Sequence, residues 1–225
     1  MKICVISPIL NIAGVPLAQL RLSKALSKKG HNVDLIFGNI QDKSIISELK
    51  NIKIIDFKKK KIRSKIIKLC KYLINEKPDV IFSAEDHLNI VVSICAILTR
   101  SKVKISASSR VTPFDTYSNK IFTKRWFLKF LFKLTSWRIN LLTCVSEDMI
   151  DQYHKVFGKT KHICIYNIIS DQNNLTRMNE PISQNLFNKS DQDCTFLIAA
   201  GRLAKWKGFD YLLRACKELK IQNIN

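Results

Sequence analysis

The stretch GRLAKWKGFDYLLRACKELK, residues 201–220, decides how the rest of the chain is read. An apolar run, CTFLIAA at 194–200, reads as a buried strand and leads into Gly201 and Arg202. Lys207 and Gly208 then lead into a helical pattern that sets Leu212, Leu213, Cys216 and Leu219 on one face. Strand, basic glycine turn and helix together can hold a diphosphate, because a helix start offers unpaired N–H groups and the positive end of its dipole. Gly208 permits a close backbone approach, Arg202 offers a planar fork and Lys207 a mobile charge. An ordinary βα turn with solvent-facing cations fits the same residues equally well. One strand and one helix bury no core of their own, and the sequence ends at Asn225, so the motif opens a fold that these residues leave incomplete.

Working upstream, residues 169–193 are polar and aperiodic and read as a linker between a first domain, 1–168, and the segment 194–225. The first domain alternates β-rich runs with helical stretches. KICVIS is a strand. Pro16 suits the first turn of a helix that turns Leu17, Leu20, Leu22, Ala25 and Leu26 inward and stops at Gly30. NVDLIF and IKIIDF follow as strands, then a helix over 62–75, the strand DVIFS, a helix over 89–99 and the strand KVKISAS. A long basic helix near 119–136, the strand INLLTCV, a helix after Ser146 and the strand HICIYN complete the series. Such alternation predicts an open, doubly wound parallel sheet of the α/β class, with ligands at the carboxyl ends of its strands.

With 46% hydrophobic residues the chain has enough for a packed core, which excludes wholesale disorder. The net charge is +20; residues 1–168 hold 30 Lys and Arg against 12 Asp and Glu, or +18, and the remainder holds 8 against 6, or +2. An excess of that size favours anionic partners: nucleic acid, anionic lipid or phosphate-bearing substrates. A solvated lysine-rich surface accounts for part of it. The seven cysteines form no Cys-x-x-Cys pair and lie mostly in apolar runs, as small hydrophobes in a reducing compartment do. The start reads as a strand rather than a signal peptide, and IVVSICAIL is too short to span a bilayer, which places the chain in the cytoplasm. The sequence has no Gly-x-Gly-x-x-Gly fingerprint, no phosphate loop, no metal-ligand spacing and no nucleic-acid-binding motif.

GRLAKWKGFDYLLRA resembles the donor-phosphate motif of family 4 glycosyltransferases, matching at Gly201, Arg202, Leu203, Lys207, Gly208, Leu212, Leu213 and Ala215. AGVPLAQLRLSKALSKKGHNVDLI resembles that family's opening glycine loop and first helix, TCVSEDM the strand and serine before the domain's last helix, and IYNII the passage to the second domain. PDVIFSAEDHLNI and SASSRVTPF resemble loops of a hexosamine- or galactosamine-transferring branch. The resemblance implies a GT-B fold: a Rossmann-like N-terminal acceptor domain and a second, here truncated, Rossmann-like domain that binds a nucleotide sugar, most often a UDP-sugar. It implies a retaining transfer without metal or other cofactor. Gly14, Arg202 and Lys207 would bind the donor diphosphate, where negative charge develops as the bond breaks. Two departures stand out. The usual glycine pair is Ala13–Gly14, and the family's paired glutamates lie beyond Asn225, so the catalytic residues are unassigned and little or no transfer is expected of these 225 residues alone.

His87, Asn89, Ser109 and Arg110 are acceptor-side candidates on loops that follow strands. His87 also fits a surface histidine, and Arg110 a plain loop cation. In KIFTKRWFLKFLFKLTSWR, residues 120–138, Trp126, Phe127, Phe130, Leu131 and Leu134 share one side and Lys120, Lys124, Lys129 and Lys133 another. Packing of the aromatic side onto the sheet is the favoured reading, with the lysines left to touch an anionic bilayer. The expectation is a glycosyltransferase acting on a lipid-linked or cell-envelope glycan precursor, peripheral on the inner face of the plasma membrane and with no nucleic-acid partner. The rival is a non-catalytic acceptor-domain fragment that binds an anionic membrane or a partner.

Overall fold

The computed structural model describes residues 1–11, 14–41, 46, 49, 51–58, 62–167, 176, 178–181, 197–201 and 203–222, in two units, Met1–Asp171 and Gln172–Asn225. In the first unit the β-branched runs become strands β1 (Lys2–Ser7), β2 (Asn32–Phe37), β3 (Ile52–Asp56), β4 (Val80–Ala84), β5 (Lys104–Ser109), β6 (Leu141–Cys144) and β7 (His162–Cys164). Among the described residues these form one parallel sheet in the order β3-β2-β1-β4-β5-β6-β7. The order reverses at β1, which pairs with β2 from Lys2↔Asn32 to Ser7↔Phe37 and with β4 from Ile3↔Val80 to Ile6↔Ser83.

That reversal fixes where the helices go. Right-handed crossovers put the helix joining β1 to β2 on one face and those serving the strands after β3 on the other. Helix α1 (Gly14–Lys28) therefore stands on its own face, where Leu20 packs with Ile3, Val5, Val33, Leu35 and Phe37. On the opposite face lie α2 (Ile62–Glu76), α3 (Asp86–Leu98), α5 (Lys124–Thr135) and α6 (Glu147–Phe157), with the short α4 (Pro113–Thr116) between α3 and α5 in the chain. Leu69 and Leu73, Val92 and Cys95, Phe132, Met149 and Tyr153 from these helices close over Cys4, Ile36, Ile81, Ile105, Ala107 and Leu142. The described cysteines are free, and burial pushes the Cys4 thiol well above its ordinary value. The amino edge of the sheet is pinned electrostatically: the Lys2 backbone N–H donates to Asp79 at 2.8 Å, and Glu76 accepts from both Lys2 and Lys53.

Several boundaries differ from the sequence expectation. In α1 the inward line runs through Pro16, Ala18, Gln19, Leu20 and Ser23, which leaves Ala25 exposed. Helix α3 begins at Asp86 rather than 89, because the Glu85 carbonyl already accepts from the Leu88 and Asn89 N–H groups at 3.0 Å. Helix α5 begins at Lys124 because Thr123 caps it, its Oγ1 accepting from the Trp126 N–H at 3.1 Å. In the second unit, Leu197–Ala200 have no strand pairing, since a strand needs a partner that the described residues of this unit do not supply; residues 194–196 and most of the 169–193 linker lie outside the described residues. Helix α7 (Phe209–Ile221) forms as expected, behind a 3-10 turn, Lys205–Lys207, and Gly208 at φ 70°.

Candidate functional site

The carboxyl ends of β1 and β4 diverge at the order reversal, and the crevice they leave is where an open α/β sheet binds ligands. Gly38, just past β2, is forced there by crowding: a Cβ would lie 2.6 Å from both the Pro8 carbonyl oxygen and the Lys65 Nζ. Lys65, His87, Pro8 and Gly38 line a cleft of about 50 Å³. His87 Nε2 lies 3.4 Å from Glu85 Oε2. Glu85 has φ 77°, rare for a residue with a side chain, at the junction of β4 and α3. Burial raises the Glu85 carboxyl, His87 opposes that rise and Asp86 adds to it. A histidine beside a partly buried carboxylate can hold and pass a proton at the cleft mouth, and Lys65 adds a cation to the same wall. In the loop leaving β1, Asn11 donates to Gln41 at 3.3 Å and its own Oδ1 is unpartnered. A larger groove, about 700 Å³, opens at the other end of the sheet around Met1, Pro78, Asp79 and Lys104, where the strands start. It lacks the strand-end placement, and the crevice is the better candidate despite its size.

One residue on, Asp86 faces inward and is 5% exposed. Its carboxylate accepts from Ser109 Oγ at 2.6 Å, from Tyr117 OH at 2.6 Å and from Tyr153 OH. Burial raises its pKa against the pull of those three hydroxyls and of His87. Ser109 Oγ also lies 3.4 Å from His162 Nε2, and burial lowers that imidazole to about 4. Asn89 accepts from Ser83 Oγ at 2.7 Å and donates to the Ser108 carbonyl at 3.1 Å. Two of the four acceptor-side candidates, Asn89 and Ser109, are thus fully buried and tie β4, β5 and α3 together behind the crevice. His87 is at the crevice itself. Arg110 lies elsewhere, with Nη1 donating to Asn167 Oδ1 beyond β7.

Gly14 is exposed at the first turn of α1, and a Cβ there would meet nothing within 4 Å. The chain itself therefore imposes no glycine at this position. Lys207 is exposed in the turn before α7, and a Cβ on Gly201 would lie 3.4 Å from the Phe209 ring and 4.0 Å from Lys207 Cδ, so the turn folds back on itself. Arg202 lies outside the described residues. Gly14 and Lys207 belong to separate units. Nothing in the sequence singled out Lys65, Gly38, Glu85 or Asp86. Lys65 is one lysine in a basic run, and the other three matter through a close approach, a backbone angle and a set of buried hydroxyls.

The favoured reading of the aromatic helix is corrected. Helix α5 turns Leu128, Leu131, Phe132 and Thr135 to the core, while Phe127, Phe130 and Leu134 are exposed, continued by Trp137. Phe132 and Thr135 complete an inward stripe with Leu128 and Leu131, which leaves no room on the sheet side for the second apolar stripe. Trp126 stacks on Phe130 with ring centroids 6.0 Å apart. Among the described residues, no helix is long and apolar enough to cross a membrane, and no group of three or more His, Cys, Asp or Glu could hold a metal ion.

No family model and no curated protein sequence matches the chain. Solved structures do. A lipopolysaccharide outer core galactosyltransferase, WaaB, superposes with a TM-score of 0.55 over 76% of this chain and 46% of its own, at 14% identity. The first unit's sheet has the fold of a GT-B Rossmann-like domain. Anabaena Alr3699/HepE in complex with UDP-glucose gives 0.53 over 79% of this chain and 48% of its own, at 12% identity, and the sucrose-phosphate synthase of Thermosynechococcus elongatus gives 0.51 over 73% and 47%, at 11%. The chain spans about half the length of these GT-B proteins.

Proposed function

We propose that the chain is a nucleotide-sugar-dependent glycosyltransferase of the family 4 type that retains anomeric configuration and acts on a lipid-linked or cell-envelope glycan precursor. The observation that carries this reading is a GT-B-type sheet with a strand-end cleft lined by His87 and Lys65, His87 being paired with Glu85. The domain division follows the same reading: 1–168 on the acceptor side, 169–193 as linker and 194–225 on the donor side. The donor is a UDP-sugar, in keeping with the UDP-glucose complex of the structurally similar HepE. Arg202 and Lys207 neutralise the leaving diphosphate, as the family resemblance implies, and Gly14, exposed at the start of α1, is assigned to the donor side on the same resemblance. Charge develops there in the transition state, so cations fixed in advance lower the barrier most at that point. His87, paired with Glu85, faces the acceptor hydroxyl, and Asn89 and Ser109 hold the crevice wall from behind.

The exposed side of α5 suits the membrane part of the reading. Phe127, Phe130, Leu134 and Trp137 form an apolar stripe, and residues 116–146 carry six Lys and Arg and no acid. Such a stripe inserts shallowly while each flanking lysine adds on the order of 1 kcal/mol at an anionic surface. The same surface supports the second reading, an acceptor domain that binds membrane without transferring sugar. Titrating UDP into the chain separates the two. Saturable binding that weakens at least about tenfold in Arg202→Ala supports the transferase, since a charge-assisted fork is lost. Absence of UDP binding up to millimolar concentration, with vesicle binding intact, supports the second reading. A supported transferase is then assayed for incorporation of labelled sugar from UDP-hexoses into polyprenyl-phosphate acceptors.

A further inference from the structure

Helix α1 covers only the β1–β3 side of its face of the sheet, and beside it a cavity of about 220 Å³ opens over β4, β5 and β6. At ~30 Å³ per water this is room for roughly seven waters, or for one molecule of monosaccharide size. Two polar groups in its wall are left unpaired by the fold. Gln19, on α1, is 2% exposed and its Oε1 has no partner. Arg110, from the end of β5, has a buried Nε without a partner. No carboxylate forms an ion pair with Arg110 among the described residues, and desolvation lowers its pKa. Buried polar groups are almost always satisfied, and one ligand in the cavity could pair both the Gln19 oxygen and the Arg110 Nε–H, whose Nη1 already donates to Asn167. The rest of the wall combines the buried hydroxyl residues Ser108 and Thr143 with the rings of Phe82 and Tyr166.

We infer that this cavity binds a hydroxylated anion of monosaccharide size, its carboxylate or phosphate on Arg110 and a ring hydroxyl donating to Gln19 Oε1. The guanidinium favours the negative group, because among the described residues it is the one cation lining the cavity and has no carboxylate partner. The Gln19 oxygen requires a donor, which a sugar hydroxyl supplies. Phe82 and Tyr166 suit the apolar face of a pyranose. The site shares no lining residue with the crevice at His87, and the inference stands whether or not the transferase reading does.

The test is a titration of the full chain, followed by the side-chain NMR signal of the Arg110 Nε–H and by calorimetry. The probes are glucuronate, glucose 6-phosphate, glucose and inorganic phosphate. Saturable binding of glucuronate or glucose 6-phosphate is expected, shifting the Arg110 signal, with glucose and inorganic phosphate each at least about tenfold weaker. Comparing the two anionic sugars tells a sugar acid from a sugar phosphate. Arg110→Gln is expected to remove the preference for the charged sugars. Gln19→Met is expected to weaken them severalfold without changing inorganic phosphate, with circular dichroism confirming the fold of both variants. The inference is overturned if neither charged sugar moves the Arg110 signal up to tens of millimolar, if glucose binds as well as glucuronate, or if inorganic phosphate binds as well as both. The wild-type titration decides these outcomes even if a variant does not fold.

Discussion

Glu85 and Asp86 are adjacent carboxylates at the start of one helix, and the fold uses them in opposite ways. Asp86 turns into the interior and accepts from three hydroxyls on β5, the chain after α4, and α6. Glu85 turns outward to His87 at the crevice, with its backbone at φ 77°. Burial raises both carboxyls. Only Asp86 has a full set of donors, so only Asp86 is built to hold the fold. Glu85 pairs with His87, which lines the cleft, and that suits proton handling. The difference teaches that a buried polar cluster near strand ends is not by itself a site: the count of satisfied donors separates scaffold from chemistry.

The largest effect expected of that contrast is on stability. Asp86→Leu strands the hydroxyls of Ser109, Tyr117 and Tyr153 without an acceptor and is expected to cost about 3–5 kcal/mol, while Asp86→Asn, which keeps an acceptor oxygen, recovers most of it. Urea unfolding of the three forms checks this, and a Leu variant as stable as wild type would erase the distinction.

A smaller effect comes from His162 behind the cluster. Burial holds its imidazole at about 4 against an ordinary 6.5, with His154 as the lesser cause. Between those values the unfolded chain takes up a proton that the folded chain refuses, so stability falls as pH drops from 6.5 to 4 and the loss levels off below that. The contribution is about 3 kcal/mol at most. The raised Asp86 carboxyl works in the opposite sense, regaining stability as it protonates, so the difference between wild type and His162→Gln isolates the histidine. The melting temperature of His162→Gln is expected to fall less steeply across that window.

Tyr153→Phe removes one of the three donors to Asp86 and is expected to cost about 1–2 kcal/mol, with the aromatic contacts to Phe157 and His162 retained. On the outward side, His87→Ala is expected to change stability by no more than about 0.5 kcal/mol, being 45% exposed. Any transfer activity should drop on the order of a hundredfold, the usual scale for a lost acid–base group. A His87→Ala protein destabilised as much as Tyr153→Phe would move His87 into the scaffold. The smallest effect on the fold is expected at α5: Phe127→Ser with Phe130→Ser should leave the melting temperature nearly unchanged and abolish flotation with anionic vesicles, whose electrostatic part weakens with salt.

Much of this architecture was legible in the residues. Apolar runs of five or six, punctuated by Gly30 and Pro78, placed the strands and helices to within a few residues, and their alternation required a parallel sheet. The errors have local causes. Thr123 is an ordinary cap that shortened α5, and the aromatic stripe of α5 was assigned to the core because periodicity shows that a helix has apolar sides without showing which one the sheet takes. CTFLIAA reads as a strand by composition, but of it only Leu197–Ala200 lie among the described residues, and there they have no pairing partner.

The sequence by itself determined the parallel α/β class, the two-unit order and the basic character of the stretch Gly201–Gly208, because these depend on short-range pattern and residue chemistry. Only the tertiary structure decided that Asn89 and Ser109 are buried while His87 is open, that Lys65 reaches the crevice from a helix more than twenty residues before it, and that Gln19 Oε1 and Arg110 Nε are left without partners around one cavity. Burial and hydrogen-bond satisfaction are properties of surroundings, and those surroundings are assembled from strands and helices far apart in the chain.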